Sequence, residues 1–328
     1  MRAVVVGELN NRDSIGIGEV EAPTPGDGEV LVQVGASSVN FPDILMLDGK
    51  YQIRPTPPFV LGKEAAGTVA AVGAGVTRVK PGERVLVQVD SGGFAEQVVA
   101  PERAVFAIPD DMDFETAAAM GLVYQTAWLG LVERGRLQAG EAVLVNGASG
   151  GVGMAAVELA AALGAEVLAG LTTPAKAATV EAAGARHVVD LSVPDLKDAL
   201  RSQVAGKLGG RGLDLVLDMI GGEVFEASLR ALAFGGRAVV IGFAGGNIPT
   251  VRTNYLLLKN IAVLGSTING YLDSRPEVVV RAQEEVVRLW REGKLKPNIM
   301  RRFSLGQARE ALAAVEKREV VGKVVITF

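Results

Sequence analysis

The stretch VLVNGASGGVG, Val143 to Gly153, holds four glycines within seven positions: Gly147, Gly150, Gly151 and Gly153. A Val-rich run precedes it and an Ala-rich helical pattern follows. At a strand-to-helix turn, glycines permit a tight bend, let a pyrophosphate approach the backbone, and let the helix pack close to its strand. The helix N-terminus then offers unpaired N–H groups and a partial positive charge to the phosphates. The spacing is G-x-x-G-G-x-G rather than strict G-x-G-x-x-G, so the context carries the reading. Ser149, Gly150, Gly151 and Val152 are the residues expected against the phosphates. The bland alternative is a glycine-rich packing turn.

The second strand of such a unit decides which dinucleotide is held. An NAD-preferring site places an acidic residue roughly 20 residues beyond the loop, to accept from the ribose 2′-OH. Here the sequence reads AGLTTPAK, with Leu171 in that place and Thr172, Thr173 and Lys176 after it. Hydroxyls and an ammonium suit a 2′-phosphate, whereas a carboxylate repels one. NADPH is therefore the expected cofactor. Thr173-Pro174 also reads as a helix start with a hydroxyl N-cap, and Lys176 also reads as a solvated helix residue.

The elements that must position these groups follow from the pattern along the chain. Up to about residue 113, short Val-rich runs (EVLVQVGASSVN, AAGTVAAVGAGV, ERVLVQVD, FAEQVVAPE) are separated by Gly, Pro and Asp turns, as in a rolled, barrel-like β domain. Beyond it, strands alternate with helical patterns: AVLVN, EVLAGL, HVVDL, LDLVLDMI, GRAVVIGF and IAVLGST. That alternation predicts a doubly wound parallel sheet of the Rossmann kind. The C-terminal part offers two helices and a last strand that can rejoin the β domain. The fold class is α/β, with residues 1–120 and 266–328 forming the β domain and 121–265 the dinucleotide-binding domain.

Composition removes several alternatives. The chain has 328 residues, 49% hydrophobic and 21% charged, as in an ordinary globular protein of about two domains. A net charge of −4 without a Lys/Arg stripe gives no footprint for nucleic acid. Zero cysteines exclude disulfides, thiolate zinc sites and Cys nucleophiles, and fit the reducing cytoplasm. MRAVVVGELNNRDSIG lacks a secretory apolar region and reads as a first strand. The longest uncharged segment, Thr116 to Val132, falls short of a membrane span and reads as buried helix.

With these features in place, the chain resembles the medium-chain dehydrogenase/reductase superfamily along its full length. The resembling segments are SSVNFPDILMLDGKY, PFVLGKEAAGTVAAVGAGV, VKPGERV, GGFAEQVV, VLVNGASGGVG, GGRAVVIGF and GKVVI. The nearest look is to the zinc-free NADPH:quinone oxidoreductase branch, whose β domain is GroES-like. Zinc alcohol dehydrogenases carry a Cys ligand where this chain has Asn40 and a His where it has Lys63. Their four-Cys lobe is missing from LVQVDSGGFAEQ. Catalytic zinc needs three protein ligands, and lone His187, which opens the HVVDL strand, reads as a surface or half-buried residue. No metal is expected.

The resemblance places Asn40 and Tyr51 beside the nicotinamide, as catalytic and cofactor-contacting residues. It also implies cofactor contacts at Gly242 and Phe243, at Ser266 and Thr267, and at Lys323. Asn40 brings an amide, and Tyr51 a phenol that can donate to developing negative charge on oxygen. Asp43 completes N-x-x-D, as a catalytic group or as N-terminal charge on the short helix DILMLDG. Lys63 is either a cation near the pocket or a surface charge.

A quinone suits a site without metal because it is already electron-poor. An activated C=C bond (enone, enal or enoyl thioester) suits the same donors. An acyl-CoA would want a basic rim, for which Arg252, Lys259, Arg301 and Arg302 are available. A cofactor-binding sensor or structural protein is the reading without turnover. IAVLGST reads as the exposed edge of the parallel sheet, and pairing of two such edges gives a homodimer.

Overall fold

The computed structural model describes all 328 residues. By contacts the chain divides into two units. The first comprises Met1–Leu122, Leu272–Gln283 and Pro297–Phe328; the second comprises Val123–Tyr271 and Glu284–Lys296.

The first unit is built on a seven-stranded sheet. Its long central strand, Glu29–Ser38, alternates buried Val30, Val32 and Val34 with less buried neighbours, the period of a strand covered on one face. One edge of this strand is shared by two partners. Gln97–Pro101 pairs with Glu29–Gln33, and the C-terminal strand Lys323–Thr327 pairs with Ala36–Ser38. The other edge pairs with Glu64–Val72, with irregularities at Leu31/Val32 and Val34/Ala36. Such bulges increase twist and bend a sheet, and the unit is antiparallel-rich as expected from the sequence. The last strand does rejoin this unit. Beside it lies a parallel strand, Ile299–Ser304, that the sequence pattern hides. Met300, Arg301 and Arg302 are exposed there, so IMRRFS shows no apolar alternation.

The second unit is a six-stranded, all-parallel sheet. Its order is His187–Asp190, Glu166–Leu171, Ala142–Asn146, Leu213–Asp218, Leu232–Val240, Ala262–Gly265. In chain order that is 3-2-1-4-5-6, the doubly wound arrangement whose ligands bind outside the carboxyl ends of the strands. Strands covered on both faces read as continuous apolar runs, and Ala142, Val143, Leu144 and Val145 are all fully buried. The crossover helices Leu196–Lys207 and Gly222–Ala231 close the core on one face through Leu200, Val204, Phe225 and Leu229.

This division moves the expected boundaries at 120/121 and 265/266 to 122/123 and 271/272, and it differs in one later segment as well. Residues 284–296 go with the second unit, although they lie late in the chain. There the Lys296 N–H donates to Glu158 Oε2 at 3.0 Å, tying the segment to the helix Gly151–Ala162. The same carboxylate accepts from the Tyr124 hydroxyl at 2.7 Å, and burial pushes it up to about 7. Helix Leu122–Trp128 follows Phe114–Met120 after a break at Gly121. No helix is long and apolar enough to cross a membrane.

Candidate active site

Every residue expected at the cofactor in the second unit lies just beyond the carboxyl end of a parallel strand. Ser149–Val152 follow Ala142–Asn146; Thr172, Thr173 and Lys176 follow Glu166–Leu171. Gly242 and Phe243 follow Leu232–Val240, and Ser266 and Thr267 follow Ala262–Gly265. Their common edge comes from the topology, because all six strands point the same way.

The glycine loop has the form a pyrophosphate needs. Gly147 sits at φ +72°, a left-handed turn that a side chain resists. A Cβ on Gly153 would collide with the Gly147 carbonyl, so the helix packs against the loop only as glycine. Gly150 is the N-cap of Gly151–Ala162, and no side chain caps that end. A helix end without a side-chain cap is one that can receive an anion.

Leu171 is buried at the end of its strand, and Thr172 and Thr173 are exposed beyond it. Thr173 does stand at the N-cap of the turn Pro174–Lys176, with Pro at its start, but its hydroxyl makes no capping bond. Partial burial lowers the Lys176 pKa. His187 is half-buried at the start of its strand, with Nε2 at 3.1 Å from Glu166 Oε1.

Sequence reasoning missed the support beneath the loop. Asn146 Nδ2 donates to Asp218 Oδ1 at 2.8 Å and to Ser228 Oγ at 2.9 Å. Asp218 Oδ2 accepts from the Gly221 N–H at 2.8 Å, and burial raises its pKa. These groups hold the ends of the first and fourth strands together, where the strand order reverses. A polar residue closing each apolar run (AVLVN, LDLVLD) was the available signal.

In the first unit, three strands converge on one buried polar cluster. Ser38 ends the central strand, Glu64 opens its neighbour, and Lys323 opens the C-terminal strand. Glu64 Oε1 accepts from Ser38 Oγ and, at 2.7 Å, from Asn40 Nδ2; Glu64 Oε2 accepts from the Leu122 N–H at 2.7 Å. Lys323 Nζ donates to Asn40 Oδ1 at 2.7 Å and Val39 O at 3.0 Å, and lies 3.5 Å from Glu64 Oε1. Burial lowers the Lys323 pKa. Asn40 also donates to Ser38 O at 3.1 Å. Both ends of its amide are therefore engaged within the chain, and Lys323 is buried with it.

Asp43, Tyr51 and Lys63 stand beside this cluster. Asn40 is the N-cap of Phe41–Leu47, and its N–H donates to Asp43 Oδ2 at 2.7 Å. Asp43 thus takes the helix-start position foreseen for it, but it is fully buried and its Oδ1 has no partner. Burial pushes it up to about 7. Tyr51 is half-buried against the core that contains Ile44 and Leu47. No hydrogen bond within the chain engages its hydroxyl. Burial, then Asp90 and Asp43, raise its pKa. Lys63 is 3% exposed, so it is no surface charge.

Residues 26–110 match the alcohol dehydrogenase GroES-like domain, and residues 151–284 match the zinc-binding dehydrogenase family. The chain is 37% identical to the quinone oxidoreductase-like protein 2 of Rattus norvegicus, over 100% of this chain and 92% of that protein. It belongs to the medium-chain dehydrogenase/reductase superfamily, in the zinc-free quinone oxidoreductase branch. The quinone oxidoreductase of Escherichia coli, solved with NADPH, is 27% identical, with full coverage of both chains and a TM-score of 0.91. The CurK enoyl reductase is 27% identical over 99% of this chain and 98% of its own, with a TM-score of 0.87.

Within this superfamily the two zinc-ligand positions carry different chemistry here. Asn40 is held by Lys323 and Glu64, and Lys63 places an ammonium where a metal would want an electron pair. No group of three or more His, Cys, Asp or Glu is arranged to share a metal ion. The basic residues considered for an acyl-CoA rim fall in both units: Arg252 and Lys259 in the second, Arg301 and Arg302 in the first, where Arg302 pairs with Glu115.

Proposed function

We propose that this oxidoreductase transfers hydride from NADPH to a quinone without zinc. The uncapped helix end behind Gly147–Gly153, with Leu171, Thr172, Thr173 and Lys176 at the next strand end, carries the cofactor half. When bound, NADPH supplies the hydride. Ser149, Gly150, Gly151 and Val152 bind its pyrophosphate, and Thr172, Thr173 and Lys176 its 2′-phosphate. Gly242, Phe243, Ser266 and Thr267, at the same strand ends, complete the contacts. In the first unit Tyr51 donates the proton that neutralises the reduced oxygen. Asn40, Asp43 and Lys323 hold the polar framework in which it does so. A cytoplasmic location is part of this reading, supported by the cysteine-free composition.

A second reading, reduction of an activated C=C bond, is favoured by the similarity to an enoyl reductase. The same residues serve it, with hydride delivered to the β carbon and the enolate oxygen protonated. NADPH oxidation over quinones, enones and enoyl thioesters separates the two. Absence of turnover with every acceptor overturns both and leaves a cofactor-binding protein.

The cofactor assignment is open to titration. Lys176→Ala should lose NADPH affinity roughly tenfold to a hundredfold, the worth of one charge-assisted hydrogen bond, and keep its NADH affinity. Equal affinity of the unmodified protein for the two cofactors defeats the assignment. Metal independence is equally direct. Prolonged chelation should leave activity and Tm unchanged, and elemental analysis finding about one zinc per chain would reverse that statement.

We also propose that two copies pair through the second unit. The edge strand Ala262–Gly265 has one side unpaired, and Ile248, Leu257, Leu258 and Phe234 are 75–78% exposed. An open edge with exposed apolar side chains is a template for association. Light scattering should give twice the chain mass, and the double change Leu257→Glu, Leu258→Glu should give the monomer. A monomeric parent protein rules the pairing out.

A further inference from the structure

Lys63 is the buried cation that the functional reading leaves unused. Gly62, at φ +106°, precedes it, and Glu64, the first residue of the strand Glu64–Val72, follows. Glu64 contacts Ser38 and Asn40, while Lys63 lies over the Tyr51 ring. The Lys63 carbonyl is pinned by the Val89 N–H at 2.9 Å, so the backbone fixes this direction. Its ammonium lies 5.0 Å from the centre of the Tyr51 ring, within the range of a cation–π contact. Its other contacts are long: Asp90 O at 3.4 Å and Asp90 Oδ1 at 3.7 Å, on a side chain that is 65% exposed. A buried ammonium normally takes a close carboxylate. This one has a more distant, exposed carboxylate on one side and an aromatic ring on another.

We propose that Lys63 is a positioning residue that acts through Tyr51, fixing the ring and stabilising the negative charge that reaches the phenol oxygen as its proton leaves. The proposal rests on the reductase reading above. In the step concerned, the acceptor gains hydride from the cofactor and is reduced by two electrons. The Tyr51 O–H bond breaks, a new O–H bond forms on the acceptor, and the phenolate left behind takes a proton from water. A cation beside the ring favours that transient phenolate, and the help matters most for a weakly electrophilic acceptor. The charged and titratable groups around Lys63 are Tyr51, Asp90, Asp43 and Glu64. Burial outweighs the three carboxylates and lowers the Lys63 pKa, so its charge is lost at lower pH than that of a free lysine.

The test measures kcat/KM with NADPH and a simple enone, against benzoquinone, from neutral pH into the lysine range. It uses the parent protein, Lys63→Met, Lys63→Arg, Tyr51→Phe and the double variant Tyr51→Phe, Lys63→Met. With the enone, Lys63→Met should lose roughly tenfold in kcat/KM, and with benzoquinone distinctly less. The parent should lose activity on the basic side, and Lys63→Arg should move that limb to higher pH because a guanidinium stays charged. In the Tyr51→Phe background, Lys63→Met should cost nothing more. An unmoved limb in Lys63→Arg, or an equal cost of Lys63→Met with and without the Tyr51 hydroxyl, overturns the proposal. If the parent reduces no acceptor, the reductase reading has failed instead. The electrostatic link is then read from phenolate absorbance, which Lys63→Arg should bring in at lower pH; no change there overturns the proposal as well.

Discussion

Tyr51→Phe is expected to lower kcat/KM by about 10²-fold on a weak acceptor such as a simple enone, within the range for general acids and oxyanion donors. The change keeps the ring and removes only the hydroxyl. Since that hydroxyl has no partner within the chain, its loss leaves no buried donor or acceptor stranded. The ring keeps its packing against the core of the first unit and its contact with Lys63. Stability should therefore move little, and the kinetic loss reports the proton. A quinone, being more electrophilic, should lose less. The competing role for Tyr51 is an aromatic lid that excludes water. A lid makes Phe nearly silent and Tyr51→Ala costly. Steady-state kinetics of both variants on both acceptors decides, and an unchanged Tyr51→Phe on every accepted substrate assigns the lid.

Lys323→Met should destabilise the chain by about 3–5 kcal/mol, the cost of breaking a buried ion pair from one side. The variant keeps most of the side-chain volume and removes the ammonium. Two groups then suffer together. Asn40 Oδ1 loses its donor at 2.7 Å, and the fully buried Glu64 loses the ammonium 3.5 Å from its Oε1. Three donors remain on Glu64: Ser38 Oγ, Asn40 Nδ2 and the Leu122 N–H. Urea denaturation at neutral pH measures the balance. A loss below about 1 kcal/mol, the worth of an exposed pair, would mean that those three donors satisfy the carboxylate alone. Because Asn40 is oriented from both ends, a drop in kcat beyond the unfolded fraction is also expected.

What the sequence determined by itself is local and repetitive. Apolar runs such as AVLVN and LDLVLD mark parallel strands because both faces are buried, and the period survives in any window that contains them. The glycine loop is legible for the same kind of reason. A left-handed turn at Gly147 and a close approach at Gly153 can be met by one residue type, so the letters report the geometry directly. Lys176, Thr172 and Leu171 follow from counting along that frame. Asp43 at the helix start follows from three-residue spacing.

Tertiary structure alone decided the cluster around Asn40. Ser38, Glu64, Leu122 and Lys323 are scattered over 286 positions of sequence, and they meet because the central strand Glu29–Ser38 pairs with both Glu64–Val72 and Lys323–Thr327. No local pattern encodes which strands become neighbours, so the pairing of Lys323 with Asn40 and Glu64 could not be read from the sequence. Lys63 was undecidable for the same reason. A lysine after glycine has the same letters whether its ammonium meets water or an aromatic ring. Only the direction imposed by Gly62 and the pairing of the next residue sent it inward, where desolvation changes what its charge can do.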